Sequence, residues 1–266
     1  MSGHSKWSKI RHKKGIKDAK RGKLFSKMAQ QITIAARDGG GDPDANFSLR
    51  LLVDKAKSAS MPADNIKRAI DRGIGKGEGG QLENALYEAY GPGKASMIVE
   101  AVTDNKNRTV AELRKLFSDS GGNLAESGSV SWNFDQRGLV IVESAKLKKS
   151  DKYGEPDIHV PEDPEETMLQ LIEIPGVVDV DTIDYEEEDS AEERVHLQLI
   201  TQAQDLISVR DQVHNLGYIV KDAELTWIPR SYKEVSPESR EKLHNFLERL
   251  DEVEDVHNIW MDVKLD

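Results

Sequence analysis

The chain has no cysteine among its 266 residues. Disulfides, thiolate zinc sites and cysteine nucleophiles are therefore excluded, and a reducing compartment is the natural setting. Aromatic residues make up only 6%. The longest apolar runs, such as "SMIVEAV", are far too short to span a bilayer. The patterns that announce chemistry are missing as well. The seven histidines (His4, His12, His159, His196, His214, His244 and His257) form no i, i+4 pair and no HExxH pattern, so no metal centre is expected. No G-x-S-x-G elbow occurs, and no G-x-G-x-x-G follows a strand. Carboxylates are plentiful, but nothing singles out two of them as an acid/base pair. The chain reads as a protein without enzymatic activity, cofactor, metal or small-molecule substrate.

What is abundant is charge, at 32% of residues, and it is unevenly placed. Residues 1–37 hold 11 Lys/Arg against the single acid Asp18, a net of +10. Residues 38–80 balance at seven of each sign, and residues 81–266 carry a net of −21. A cationic end on an acidic body points to a nucleic-acid partner for that end. The acidic stretches "VPEDPEE" and "YEEEDSAEE" read as turns and a helix start that keep the body soluble; the alternative is that they repel nucleic acid and restrict contact to the N-terminal arm. No apolar h-region of a signal peptide follows the basic start. Gly3, His4, Gly15 and Gly22 interrupt the amphipathic helix that a mitochondrial presequence would need. A cytoplasmic location is expected.

Periodicity divides the rest. Phe25, Met28, Ala29, Ile32 and Ala36 form one helical face between Lys20 and Arg37, ended by Gly39-Gly40-Gly41. Leu49, Leu52, Val53 and Ala56 mark a second helix over Ala45–Ala59. Pro62 starts a third, with Ile66, Ala69 and Ile70 inward and Gly73 at its end. "GIGKGEGGQ" (Gly73 to Gln81) follows no hydrophobic strand and has Gly77 where a phosphate loop needs Ser or Thr, so it reads as a linker.

Beyond it, two strands flank Gly91-Pro92-Gly93, and a helix with Val110, Leu113, Leu116 and Phe117 on one face ends at Gly121-Gly122. "SVSWNF" alternates, which places Val130, Trp132 and Phe134 on one side of a strand. Such an aromatic face can stack bases, but it reads here as core. A strand (139–143), helix (164–173), strand (177–185), strand (194–201), helix (203–216) and strand (218–227) then give the β-α-β-β-α-β order of a ferredoxin-like unit. A helix (237–250) and a strand (256–264) are left over to complete the sheet begun at Asn84.

The expected architecture is α+β and multidomain: a small N-terminal three-helix bundle, then two ferredoxin-like α/β plaits, the second inserted in the first. The expected boundaries are 1–75 for the basic arm and helical domain, 76–82 for the Gly-rich linker, 83–136 plus 229–266 for one α/β domain, and 137–228 for the inserted one.

The candidate binding residues lie in the arm: Lys6, Trp7, Lys9, Arg11, His12, Lys13, Lys14, Lys17, Lys20, Arg21, Lys23 and Lys27. Each Lys or Arg that reaches a phosphate releases condensed counterions, which gives salt-sensitive affinity with little sequence information. Trp7 offers a flat surface for an unpaired base. Gly3, Gly15 and Gly22 allow the arm to stay extended until a partner orders it. The alternatives are a basic tail that only solubilises, or one that docks on the protein's own acidic domains.

The stretches "GHSKWSKIRHKKGIKDAKRGKLFSK", "DPDANFSLRLLVDKAKSASMPADNIKRAI", "YEAYGPGKASMIVEAVTDNKNRT" and "GGNLAESGSVSWNFDQRG" closely resemble the YebC family, which includes a mitochondrial translational activator of cytochrome c oxidase. The resemblance covers essentially the whole chain and is most specific through Gly138. It loosens over Ser144–Val160 and at "LIEIPGVVDVD". It implies a helical N-terminal domain, two α/β domains and a cytoplasmic bacterial protein without enzymatic activity. Family members are described as DNA-binding transcriptional regulators. A second strand of family knowledge implies ribosome binding near the peptidyl-transferase region and relief of stalling at proline-rich stretches. The partner is thus expected to be nucleic acid, either DNA or the rRNA of a ribosome, and not a membrane. The residues themselves lean toward RNA, because a flexible cationic arm with Trp7 suits a crowded RNA cavity.

Overall fold

A computed structural model of the chain describes residues 18–77, 82–148, 158–183, 185 and 194–265. Most of the linker (78–81) and most of "YEEEDSAEE" lie outside the described residues. Three helices come first: α1 (Asp18–Gly39), α2 (Phe47–Ser58) and α3 (Ala63–Gly73). The apolar stripes meet as their spacing requires, with Met28, Ile32 and Ala36 of α1 packed on Leu49, Val53 and Ala56 of α2 and on Ile66 and Ala69 of α3. Asn46 joins two of the helices. Its Oδ1 accepts from Leu49 N at 3.1 Å, while its Nδ2 donates to the carbonyls of Ala35 and Gly40 at 2.8 Å each. One side chain therefore caps the start of α2 and satisfies the open end of α1.

Gly22 lies inside α1 and does not keep the arm extended as expected. A single glycine costs a helix about 1 kcal/mol, which the flanking helix formers and the packed face downstream outweigh. Gly73 has a different task, because a Cβ there would collide with the Thr33 carbonyl and with Ala36 of α1.

The first sheet is antiparallel with order β3-β1-β2-β9, from β1 (Glu83–Tyr90), β2 (Ser96–Thr103), β3 (Asn123–Leu124) and β9 (Val256–Met261). The expected hairpin at Gly91-Pro92-Gly93 is present, with Tyr90 opposite Ser96 and Gly93 at φ +70°. The leftover C-terminal strand pairs with β2 as anticipated. Helices α4 (Lys106–Asp119) and α7 (Pro237–Asp251) bury Leu113, Phe117, Leu243, Phe246, Leu247 and Leu250 against Met97, Val99 and Ile259. Phe117 and Phe246 meet edge to face at 4.8 Å.

Residues 135–228 form a compact unit of their own, interrupting the other unit between Phe134 and Pro229. Its elements are β4 (Phe134–Lys148), β5 (Ile158–Pro161), α5 (Pro164–Ile172), β6 (Val177–Ile183), β7 (His196–Gln202), α6 (Leu206–Asn215) and β8 (Tyr218–Pro229). The strands run β5-β4-β7-β6 with β8 also on β4, the split β-α-β arrangement of a ferredoxin-like plait. Two short strands, β3 and β5, were not anticipated. Strand β4 is also far longer than the expected 139–143.

"SVSWNF" does not form a strand. Ser131–Asn133 make a 3-10 turn, so Val130 and Phe134 are buried while Trp132 is 68% exposed. A three-residue turn separates alternate residues that a strand would keep on one side.

The chain's exit to the inserted unit and its return are bound together. Arg230 N donates to Asn133 O at 2.7 Å, and Ser231 Oγ donates to Asn133 Oδ1 at 3.0 Å. Beneath them the fully buried Asp262 accepts from Ser96 N at 2.8 Å and from Asn133 Nδ2 at 3.4 Å, and pairs with Lys233 Nζ at 2.9 Å.

Gly73→Ala is expected to lower stability by about 1–3 kcal/mol through overpacking at the α1–α3 crossing. Urea unfolding followed by far-UV circular dichroism measures it, and an unchanged midpoint would show that the crossing has slack.

Candidate nucleic-acid interface

Of the twelve candidate residues, Lys6, Trp7, Lys9, Arg11, His12, Lys13, Lys14 and Lys17 lie outside the described residues. Lys20 and Arg21 sit in the first turn of α1, their side chains outside the description. Lys23 and Lys27 are described, and both are bonded to the protein itself, Lys23 at the surface and Lys27 buried. Lys23 Nζ donates to the Glu252 carbonyl at 2.9 Å. Lys27 Nζ donates to the Asp251 carbonyl at 2.6 Å and lies 3.3 Å from Asp251 Oδ1.

Both carbonyls close helix α7, whose C-terminal end lacks intrahelical donors and carries partial negative charge. Two cations there satisfy the hydrogen-bond need and the dipole together. One turn further along the same side of α1, Gln30 Oε1 lies 2.6 Å from His257 Nε2. Positions 23, 27 and 30 follow i, i+4 and i+7, so one face of α1 seats the bundle on the α/β domain while Met28 and Ile32 fill the bundle core. With Lys27 8% exposed, its expected role on an external phosphate gives way to an internal one. Charge density alone did not reveal this, because its partner lies 224 residues away.

A second feature involves the segment read chiefly as core. Glu88 Oε1 accepts from Gly128 N at 2.7 Å, and its Oε2 accepts from Val130 N at 2.6 Å and Ser131 N at 3.0 Å. Burial favours the neutral carboxyl, but the three backbone N–H donors outweigh it and hold Glu88 below the ordinary glutamate range. Tyr90 Oη and Trp132 Nε1 both donate to Ser129 O at 3.0 Å. The result is a tightly bonded loop over 128–133 with the Trp132 ring standing in solvent. Gly128 at φ +90° supplies its turn.

In the inserted unit the buried Glu143 faces two cations and an imidazole: Lys221 Nζ at 2.7 Å, Arg194 Nη1 at 3.6 Å and His159 Nδ1 at 2.9 Å. Burial would raise this carboxyl, but bonds from Lys221 and His159 hold it below its usual range. A carboxylate neutralised in this way is a weak base. Among the described residues, no group of three or more His, Asp or Glu is placed to hold a metal ion, and no helix is long and apolar enough to cross a membrane.

A basic segment leading into a helical bundle, followed by an α/β domain that carries a second α/β unit within it, defines a distinct class of three-part protein. The chain belongs to the TACO1/YebC family. Residues 5–76 match the family's N-terminal domain and residues 82–263 its second and third domains. A probable transcriptional regulatory protein of Caldanaerobacter subterraneus subsp. tengcongensis is 38% identical over 266 residues, covering 100% of this chain and 99% of that protein. One of Geobacter sulfurreducens is 41% identical over 260 residues, covering 98% and 94%. The crystal structure of a conserved hypothetical protein from Aquifex aeolicus superposes with a TM-score of 0.73 at 36% identity, covering 97% and 96%.

Lys27→Ala is expected to cost about 1–3 kcal/mol, since it leaves carbonyl and carboxylate acceptors at the end of α7 without their donor; thermal unfolding reads the loss. Glu88 carries a pH signature. Its folded-state pKa is depressed, so its contribution is complete above the ordinary glutamate range and disappears as the pH falls through the folded value. Glu88→Gln should lower stability at neutral pH and flatten the acid limb of the stability–pH profile. Parallel profiles for variant and parent would show that the three N–H bonds do not stabilise the carboxylate.

Proposed function

We propose that the chain is a nucleic-acid-binding regulator of gene expression that works without catalysing a reaction. The observation that carries this reading is the charge segregation, +10 over residues 1–37 against −21 over residues 81–266. Lys23 and Lys27 are engaged with helix α7, and Lys6, Lys9, Arg11, Lys13, Lys14, Lys17, Lys20 and Arg21 remain as the phosphate-binding set. Trp7 adds a stacking surface among them. The acidic body repels phosphate and concentrates binding on the arm. Relatives across the full length are named probable transcriptional regulatory proteins, which supports the regulatory part of the reading and a site of action where nucleic acid is found.

A second reading within the same class is a translation factor that binds ribosomal RNA. Trp7 favours it, because an aromatic ring among cations stacks on bases that duplex DNA keeps paired. Sedimentation of the protein with ribosomes from lysate, set beside gel shifts on promoter DNA at physiological salt, separates the two.

Replacing Lys9, Arg11, Lys13 and Lys14 together with Ala should weaken binding to any long polyanion. It should also reduce the slope of log K against log salt by about 0.7–0.9 for each phosphate that is no longer neutralised. Fluorescence anisotropy across a salt series measures both. Unchanged affinity and slope would remove the arm from the function.

A further inference from the structure

We propose that the loop bearing Trp132 is a second nucleic-acid contact, a preformed stacking platform for one unpaired base, with the exposed Arg230 on the segment bonded to the neighbouring Asn133. The inference rests on the nucleic-acid reading above and adds a site on the first α/β domain, remote in sequence from the arm.

The exposure of Trp132 comes with a rigid setting. The loop is held by the three bonds to Glu88, by Tyr90 Oη and Trp132 Nε1 on Ser129 O, and by the bonds of Asn133 to Arg230 N and Ser231. An indole left 68% exposed by a slack loop would collapse onto nearby apolar surface; here the backbone on both sides is fixed. The indole's one donor is used inside the loop, so the ring has no hydrogen bond with which to read a base edge. What it presents is π-surface, which every base can use and which is sequence-tolerant. Its immediate neighbours in the chain, Ser131 and Asn133, are polar, and its Nε1 rests on the Ser129 carbonyl.

Cations stand on the segments joined to the loop through Asn133 and Asp262. Arg230 is exposed and bonded through its backbone to Asn133. Lys264 Nζ sits 4.8 Å above the Tyr232 ring. Lys94 is exposed, with its carbonyl accepting from Lys233 Nζ at 3.3 Å. The buried Asp262 pairs with Lys233, and the nearest solvent-accessible acids along these segments are Glu126, Asp135 and Glu234. Only an unpaired base can slide onto the ring, so the platform selects single-stranded nucleic acid over duplex.

The test uses the full chain and fluorescence anisotropy with a short labelled oligouridylate and a labelled DNA duplex. Trp132→Ala is expected to weaken oligouridylate binding about fivefold to a hundredfold, the range found when a stacking aromatic is truncated. Duplex binding and the unfolding midpoint should be unchanged, and Trp132→Phe should restore most of the affinity. If W132A binds oligouridylate like the parent while the arm variant is weakened, the platform is overturned and the arm reading stands. If neither variant is weakened, both readings fall. Equal losses on oligouridylate and duplex overturn stacking, as does a W132A variant that loses a protein partner but no oligonucleotide affinity.

Discussion

One buried carboxylate holds the first α/β domain closed. Asp262 follows the last strand of the sheet and takes a backbone N–H from the start of β2, an amide from the turn before β4 and an ammonium from the segment after β8. Three other passes of the chain converge on it. A charge shut away from solvent is costly unless its lone pairs are filled and its charge is matched. Here Ser96 N, Asn133 Nδ2 and Lys233 Nζ meet both conditions. The position of Asn133 follows from this knot, and with it the position of the Trp132 loop.

The N-terminal cations illustrate how similar residues take different roles according to what they face. Lys23 and Lys27 close a helix end whose unfilled carbonyls and dipole call for positive charge. Upstream of them the same residue type is repeated with Asp18 as the single acid of its segment, which is the condition for binding an external polyanion. Through Lys23, Lys27 and Gln30, α1 is fixed to the end of α7 and to His257.

Much of the fold was legible because it follows from periods and punctuation. The stripes of α1, α2 and α3, the hairpin at Gly91-Pro92-Gly93, the β-α-β-β-α-β run and the return of the last strand to the first sheet all come from local patterning that packing then uses. Two-residue β3 is too short to leave a pattern, and β5 lies in a polar segment with no alternation to detect. The site was less legible. Val130, Trp132 and Phe134 alternate like a strand, and only the 3-10 turn separates the exposed ring from its buried neighbours. Lys27 looked like its fellow cations because its acceptors, at Asp251, come from the other end of the chain. Glu88 gave no local sign of the loop it organises, although Gly128 and the small residues around it are what let three backbone amides turn toward one carboxylate.

The bonded exit and return of the inserted unit couple the stabilities of the two units. Asn133 and Arg230 are one hydrogen bond apart, so the whole stretch 135–228 is, for its host, a loop whose ends have to meet. When that stretch is folded, its first and last strands, β4 and β8, lie paired side by side, and the meeting requires no further ordering. When it is unfolded, the host must close a long flexible loop, at a cost that rises by about 0.6 kcal/mol with each doubling of loop length. Folding of the insert therefore stabilises its host by removing chain entropy, and this linkage requires no side-chain interaction between the two.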